Sequence, residues 1–168
     1  MLVLGIDPGI AITGYGLVSV DQAGNPKLVA YGVIDSTAVR TTSSRLSYLY
    51  DQLREILAKY QPTHAAVEKI FFQKNLKTVS AVSEARGVIT LCLAQAQLEL
   101  AEYTPNEVKL SVTSYGNADK NQVQEMVRVL LGMDSIPRPD DAADALAVAL
   151  CHIGMLTFRN RAANGNEI

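Results

Sequence analysis

The chain has 168 residues, 48% of them hydrophobic and 19% charged, a composition that suits one well-packed domain and leaves little length for a second. Its formal net charge of −2 argues against an unspecialised nucleic-acid-binding domain, since such domains usually carry a clear basic excess. The sequence shows no secretory leader pattern and no apolar run of the roughly 18 residues that a bilayer span needs, so we expect a cytoplasmic protein without a membrane partner.

The first part of the chain predicts three antiparallel strands, over residues 2–6, 14–20 and 27–34. Pro8 and Gly9 mark the first turn, and the Gly, Asn and Pro of "DQAGNP" mark the second. The chain therefore opens with an antiparallel meander.

Helices and strands alternate after the meander. Residues 41–60 carry apolar side chains at the i, i+3, i+4 spacing of an amphipathic helix, which Pro62 ends. The strand predicted over 63–70 follows a helix, so it can pair in parallel with the first strand through a right-handed crossover. The remaining chain predicts a helix over 75–97, a strand over 100–103, a short helix after Pro105, a helix over 119–131 capped by Asp119, a helix over 140–158, and a flexible polar tail over 159–168.

The predicted fold class is therefore α/β, with a five-stranded mixed sheet flanked by helices in a single domain over residues 1–158. Both cysteines, Cys92 and Cys151, lie within apolar helical patterns, which indicates buried free thiols in a reducing compartment.

Four carboxylates are the candidate functional residues. Asp7 and Glu68 each stand where an apolar strand ends, and if those strands are adjacent and parallel both acids emerge at one edge of the sheet. Asp141 and Asp144 are three residues apart in a predicted helix, so they share one face of it. Taken singly, each acid has an ordinary interpretation as a turn former, a strand-end surface charge or a complement to a helix dipole.

Such a set of carboxylates predicts a metal site, because the acids would repel one another unless a cation neutralised them. Oxygen-only ligands suit Mg²⁺, with Mn²⁺ as a substitute, better than zinc. Two such ions about 4 Å apart can activate a water and stabilise the leaving oxygen of a displacement at phosphorus. Neutralising the four acids changes the formal charge from −2 to +2, which is compatible with a phosphate backbone.

The glycines of "GIAITGYG" raise the alternative of a phosphate-binding loop. Gly9 and Gly14 have the outer spacing of that motif, but Tyr15 and Gly16 stand where it needs Lys and Ser or Thr. We therefore predict that these glycines shape the tight turn that follows Asp7.

Five successive blocks of the sequence resemble those of the RuvC family of Holliday-junction resolvases, which have a ribonuclease H-like fold. They are "GIDPGIAITGYG", "VEKIFFQKN", "EARGV", "NEVKLSVTSYGNADKNQVQEMV" and "DDAADALAVALCH", and they run in order from about Leu2 to His152. The resemblance implies a homodimeric endonuclease that resolves four-way (Holliday) DNA junctions by paired nicks during recombination and repair. It also implies contact with the branch-migration proteins RuvA and RuvB.

The resemblance implies residue roles as well. Asp7, Glu68, Asp141 and Asp144 would be catalytic and would bind Mg²⁺, one or two ions per subunit. Asp141 takes the family's position in "DAAD", which leaves its neighbour Asp140 as a predicted helix cap. His152 lies near the acids in sequence and is predicted to be structural.

The resemblance also implies a set of DNA contacts. Phe71 falls where the family carries an aromatic residue that stacks on a base near the junction, with Phe72 as the alternative. The predicted phosphate contacts are lysines, namely Lys69, Lys74, Lys77, Lys109 and Lys120.

The small-residue helix over 75–97 is the candidate dimer element, since two symmetric cuts need two sites related by a two-fold axis. The same pattern also fits a helix buried within one subunit.

Two rival functions remain at this point: a ribonuclease H-like enzyme that processes pre-ribosomal RNA, and an inactive module that binds DNA junctions.

Overall fold

The computed structural model describes residues 1–69 and 76–164, with side chains over 1–69 and 79–163. Five strands form one sheet in the order β3-β2-β1-β4-β5. They are β1 (Leu2–Asp7), β2 (Ile12–Val20), β3 (Pro26–Asp35), β4 (His64–Glu68) and β5 (Leu100–Tyr103). The first three are antiparallel, whereas β4 pairs in parallel with β1 and with β5. The predicted five-stranded mixed sheet is confirmed.

Helices cover both faces of this sheet. They are α1 (Thr42–Tyr60), α2 (Leu76–Gln95), α3 (Pro105–Thr113), α4 (Lys120–Leu130) and α5 (Asp140–Asn164). Because side chains alternate along a strand, each strand supplies both faces: Leu4 and Ile6 pack in the cluster with α1 and α2, and Val3 packs in the cluster with α3, α4 and α5.

Two helices begin directly after a residue that caps them, and both caps are residue types that favour this position. The Thr41 side chain accepts a hydrogen bond from the N–H of Ser44 and caps α1, and Asp119 forms a reciprocal capping box with Gln122 at the start of α4. The predicted role of Asp119 as a cap is confirmed. α4 therefore begins at Lys120, which places that lysine at the end of the helix nearest the acidic residues.

α5 lies directly on the sheet because the strands carry glycine beneath it. A Cβ atom at Gly5 would stand 2.1 Å from the carbonyl oxygen of Ala145, and one at Gly16 would stand 2.7 Å from the Leu146 side chain. Within the described residues, α5 is the one helix that by length and composition could cross a membrane, with a mean hydropathy of 1.4. Since 61% of that segment is buried in the protein, core packing explains its apolar character.

Two predictions need correction. Gly14 and Gly16 do not belong to the turn after Asp7, since β2 begins at Ile12 and both glycines face α5; Gly9 alone serves the turn, where a Cβ would meet the Ile12 carbonyl oxygen at 2.1 Å. The last helix does not end at Phe158. It continues to Asn164, because the segment contains good helix formers and no Gly or Pro, so the described part of the predicted tail, residues 159–164, is helical.

Candidate metal-dependent nuclease site

The first two candidate acids end adjacent parallel strands. Asp7 is the last residue of β1 and Glu68 is the last residue of β4. The register of the two strands pairs Ile6 with Val67, so the acids that follow emerge side by side at the same edge of the sheet. The structure thus brings together the two acids that sequence reasoning placed there.

The start of α5 brings the other two acids to this edge. Asp7 lies opposite Gly14 in the pairing of β1 with β2, and a Cβ atom at Gly14 would stand only 1.9 Å from the carbonyl oxygen of Asp141. The first turn of α5 therefore rests on the strand residue beside Asp7. Asp144 follows one turn along the same helix.

The four acids form one electrostatic cluster. Burial, followed by the charges of Asp144, Glu68 and Asp141, raises the pKa of Asp7 to about 8. Burial and Asp144 also raise the pKa of Glu68, and burial raises that of Asp144 even though Lys120 opposes the shift. A group of carboxylates with raised pKa values is a site at which a cation would relieve repulsion.

A hard divalent cation fits this cluster by the chemistry of its donors, which are all carboxylate oxygens. Among residues 1–69 and 76–164, no three metal-binding side chains are already close enough to hold an ion together. Instead, the Lys120 ammonium lies 3.0 Å from a carboxylate oxygen of Asp144 and supplies positive charge there. The side chains would therefore have to reorient to surround an ion.

We expect Asp7→Asn to stabilise the metal-free protein at pH 8 by on the order of 2 kcal/mol. The Asp7 carboxyl has a pKa of about 8 in the folded protein and about 3.8 as an isolated group, so the folded state holds its proton more tightly. The free energy of unfolding consequently falls as the pH rises from 3.8 to about 8. Asparagine does not ionise, so the variant avoids this loss of stability. Urea unfolding in EDTA at pH 5 and pH 8 measures the effect, and equal stability of both proteins at pH 8 would contradict it.

Two of the predicted DNA-binding lysines line a cleft beside the acids. This cleft has a volume of about 270 Å³, and its walls include Glu68, Asp144, Lys109 and Lys120. Lys69 follows Glu68 directly and is exposed, while its backbone N–H donates a 2.7 Å hydrogen bond to the Tyr103 carbonyl oxygen. The cleft thus carries both acidic and basic side chains.

The other predicted DNA contacts cannot be placed. Phe71, its alternative Phe72, and Lys74 lie outside the described residues, as does the side chain of Lys77. Their assignments stay predictions.

Asp140 is a residue that sequence reasoning assigned to the wrong role. The N–H groups of Ala142 and Ala143 donate to the carbonyl oxygen of Pro139, and the Asp140 carboxylate is engaged instead with the side chains of Arg138 and Lys120. The available signal was the spacing of Asp140 and Asp144, one turn apart on a helix face that a basic residue could bridge.

His152 is structural, as predicted. Its Nδ1 lies 2.8 Å from the Tyr103 hydroxyl oxygen in the core, and burial, followed by His64 and Arg159, lowers its pKa to about 4. The imidazole is therefore neutral at pH 7 and is bonded to a side chain outside the acidic cluster.

A sheet of this order, with carboxylates at the ends of β1 and β4 and at the start of α5, defines a ribonuclease H-like nuclease. The family model described as "Crossover junction endodeoxyribonuclease RuvC" matches residues 3–152. The chain therefore belongs to the RuvC family.

Individual relatives agree with this family. The crossover junction endodeoxyribonucleases RuvC of Caldicellulosiruptor saccharolyticus and Heliobacterium modesticaldum are 52% and 51% identical to it. These alignments cover 91% and 94% of this chain, and 92% and 97% of the relatives. The solved structure of Thermus thermophilus RuvC in complex with Holliday junction substrate is 33% identical, has a TM-score of 0.89, and matches over 95% of this chain and 96% of that one. The predicted family and the activity class of a crossover junction endodeoxyribonuclease are confirmed.

Proposed function

We propose that this chain resolves four-way DNA junctions by hydrolysing phosphodiester bonds with Asp7, Glu68, Asp141 and Asp144 as ligands of Mg²⁺, for which Mn²⁺ can substitute. The observation that carries the proposal is the convergence of these acids at one sheet edge, where burial and then their mutual repulsion raise the pKa of Asp7 to about 8. One or two ions per subunit suit a set of four carboxylates.

The mechanism divides the work between the acids and the lysines of the cleft. When bound, the ions supply charge neutralisation at the attacked phosphate and activation of water. The four acids would hold the ions in place. Asp7 and Glu68 would do so from the ends of paired strands, which limits the movement of these two residues. Lys109 and Lys120, which line the same cleft as Glu68 and Asp144, bind the phosphate oxygens. No covalent enzyme intermediate is required. The resemblance to the RuvC family implies products whose ends a ligase can join.

We propose further DNA contacts by residues that follow Glu68 in the sequence. Lys69, Lys74 and Lys77 would bind phosphates, and Phe71, or Phe72 in its place, would stack on an unpaired base at the junction. The exposure of Lys69 supports its part in this set.

The test is cleavage of a synthetic four-way junction by the wild-type protein in Mg²⁺, beside a linear duplex and an RNA–DNA hybrid of matched length. We expect paired, symmetric cuts in the junction, loss of cleavage in EDTA, and its return when Mn²⁺ is added. Preferential cleavage of the hybrid would favour the rival ribonuclease function, and binding of the junction without cleavage would favour the rival binding module.

We propose that two copies of the chain associate through α2, since paired cuts require two sites. In support, α2 presents an exposed apolar stripe at Gly87, Leu91 and Ala94, and Leu91 is 54% exposed. We also propose that the chain is located in the cytoplasm and contacts RuvA and RuvB, since both would suit a role in recombination.

Leu91→Asp is expected to convert the dimer to a monomer, because a charge in the middle of the apolar stripe would be desolvated on association. Sedimentation equilibrium of the variant and the wild type measures the change, with Leu110→Asp, a similarly exposed leucine on α3, as the control. A wild-type protein that sediments as a monomer at micromolar concentration, or a Leu91→Asp variant that stays dimeric, would contradict the proposal.

A further inference from the structure

Lys120 bridges two carboxylates of α5 rather than one. Its ammonium lies 3.0 Å from an oxygen of Asp144 and 3.4 Å from an oxygen of Asp140. The two acids are four residues apart on the helix, so they face the start of α4 together. The cation of Lys120 is thus shared between a proposed metal ligand and a residue outside the proposed ligand set.

Asp140 is itself held in place from the other side. One of its carboxylate oxygens is bonded to the Arg138 guanidinium, while the other faces Lys120. The Asp140 carboxylate therefore lies between two cations, Arg138 on one side and Lys120 on the other.

We infer that Asp140 is a positioning residue that holds Lys120 at the wall of the cleft when Asp144 is engaged by an ion. This inference rests on the proposed function, in which Asp144 is a metal ligand and Lys120 binds phosphate. If Asp144 held an ion, its carboxylate would be less available to the Lys120 ammonium, and the other carboxylate within reach of that ammonium is Asp140, at 3.4 Å. Held there, Lys120 still faces the cleft that Glu68 and Asp144 line.

A double-mutant cycle separates this role from a purely structural one. We expect Asp140→Asn to lower the single-turnover rate of junction cleavage at saturating Mg²⁺ about tenfold. In a Lys120→Gln background, the same change should lower the rate less than about twofold, because it acts through the lysine. Asparagine keeps a polar residue at the start of α5, so the helix should survive the change.

The matched control is Glu125→Gln, which also removes one negative charge and one ion pair at α4, but the pair is with Arg128 and does not involve Lys120. This variant should cleave at the wild-type rate. Equal rates for Asp140→Asn and Glu125→Gln, or an equal loss from Asp140→Asn in both backgrounds, would overturn the inference. If the wild type itself fails to cut junctions, the proposed function fails instead.

A second readout needs no DNA and no catalysis. Titration calorimetry with Mn²⁺ should show that Asp140→Asn weakens ion binding more in the wild-type background than in Lys120→Gln, because an unheld Lys120 competes for Asp144. The direct effect of the lost charge is common to both backgrounds and cancels in the comparison. Equal losses in the two backgrounds would show that Asp140 does not act through Lys120.

Discussion

Asp7→Asn is expected to lower the rate of junction cleavage by about a thousandfold or more while junction binding persists. Asp7 ends the central strand of the sheet and has the charges of the other three acids around it. The amide that replaces its carboxylate is nearly the same size, so packing is retained, but a charged oxygen ligand is lost. Binding survives because removing a negative charge near the phosphates does not weaken their attraction to the lysines.

The measurement pairs a cleavage assay in Mg²⁺ with a junction-binding assay in Ca²⁺ or EDTA. Asp21→Asn is the matched control, since Asp21 lies in the β2–β3 hairpin and its carboxylate accepts hydrogen bonds from the N–H groups of Ala23 and Asn25, which an asparagine oxygen can also accept. The control should cleave normally. If Asp7→Asn cleaves at the wild-type rate in Mg²⁺, the assignment of the site is wrong.

Gly14→Ala is expected to destabilise the protein by about 3 kcal/mol and to reduce cleavage by on the order of a hundredfold. The new methyl group would stand 1.9 Å from the Asp141 carbonyl oxygen, and 2.4 Å from its carbonyl carbon. Both are backbone atoms that no rotamer change can move, so the first turn of α5 must shift away from the sheet. That shift displaces Asp141 and Asp144 from Asp7 and Glu68.

Urea unfolding gives the change in stability, and single-turnover cleavage at saturating Mg²⁺ gives the change in rate. The control is Gly116→Ala, where an added Cβ meets no atom within 4 Å, and it should stay within about 0.5 kcal/mol of the wild type. Wild-type stability and activity in Gly14→Ala would mean that the start of α5 is not seated on β2 as described.

Local sequence signals were sufficient for most of the elements. Short apolar runs bounded by turn residues predicted the strands, the i, i+3, i+4 spacing predicted α1, and Asp119 was identified as the cap of α4. The errors arose where a local signal has two meanings. Gly14 and Gly16 follow a Pro-Gly turn, and nothing local distinguishes a glycine that a turn needs from one that a neighbouring helix needs.

The candidate acids were also accessible from sequence, because a carboxylate at the end of an apolar strand is costly to bury without a partner. The partners of Asp140 were not accessible. Its neighbours along the chain predict a helix cap, whereas its contact with Lys120 joins α4 to α5 across a loop whose path the sequence does not specify.

The sequence by itself determined the mixed sheet, the strand ends that carry Asp7 and Glu68, and the family. These follow from hydrophobic periodicity, strand-end position and motif order, all of which are properties of the chain read along its length. Only the tertiary structure decided how closely α5 approaches the sheet and which carboxylates share Lys120. Such contacts depend on interatomic distances of a few ångströms between segments far apart in sequence, and those distances are set by packing over the whole domain.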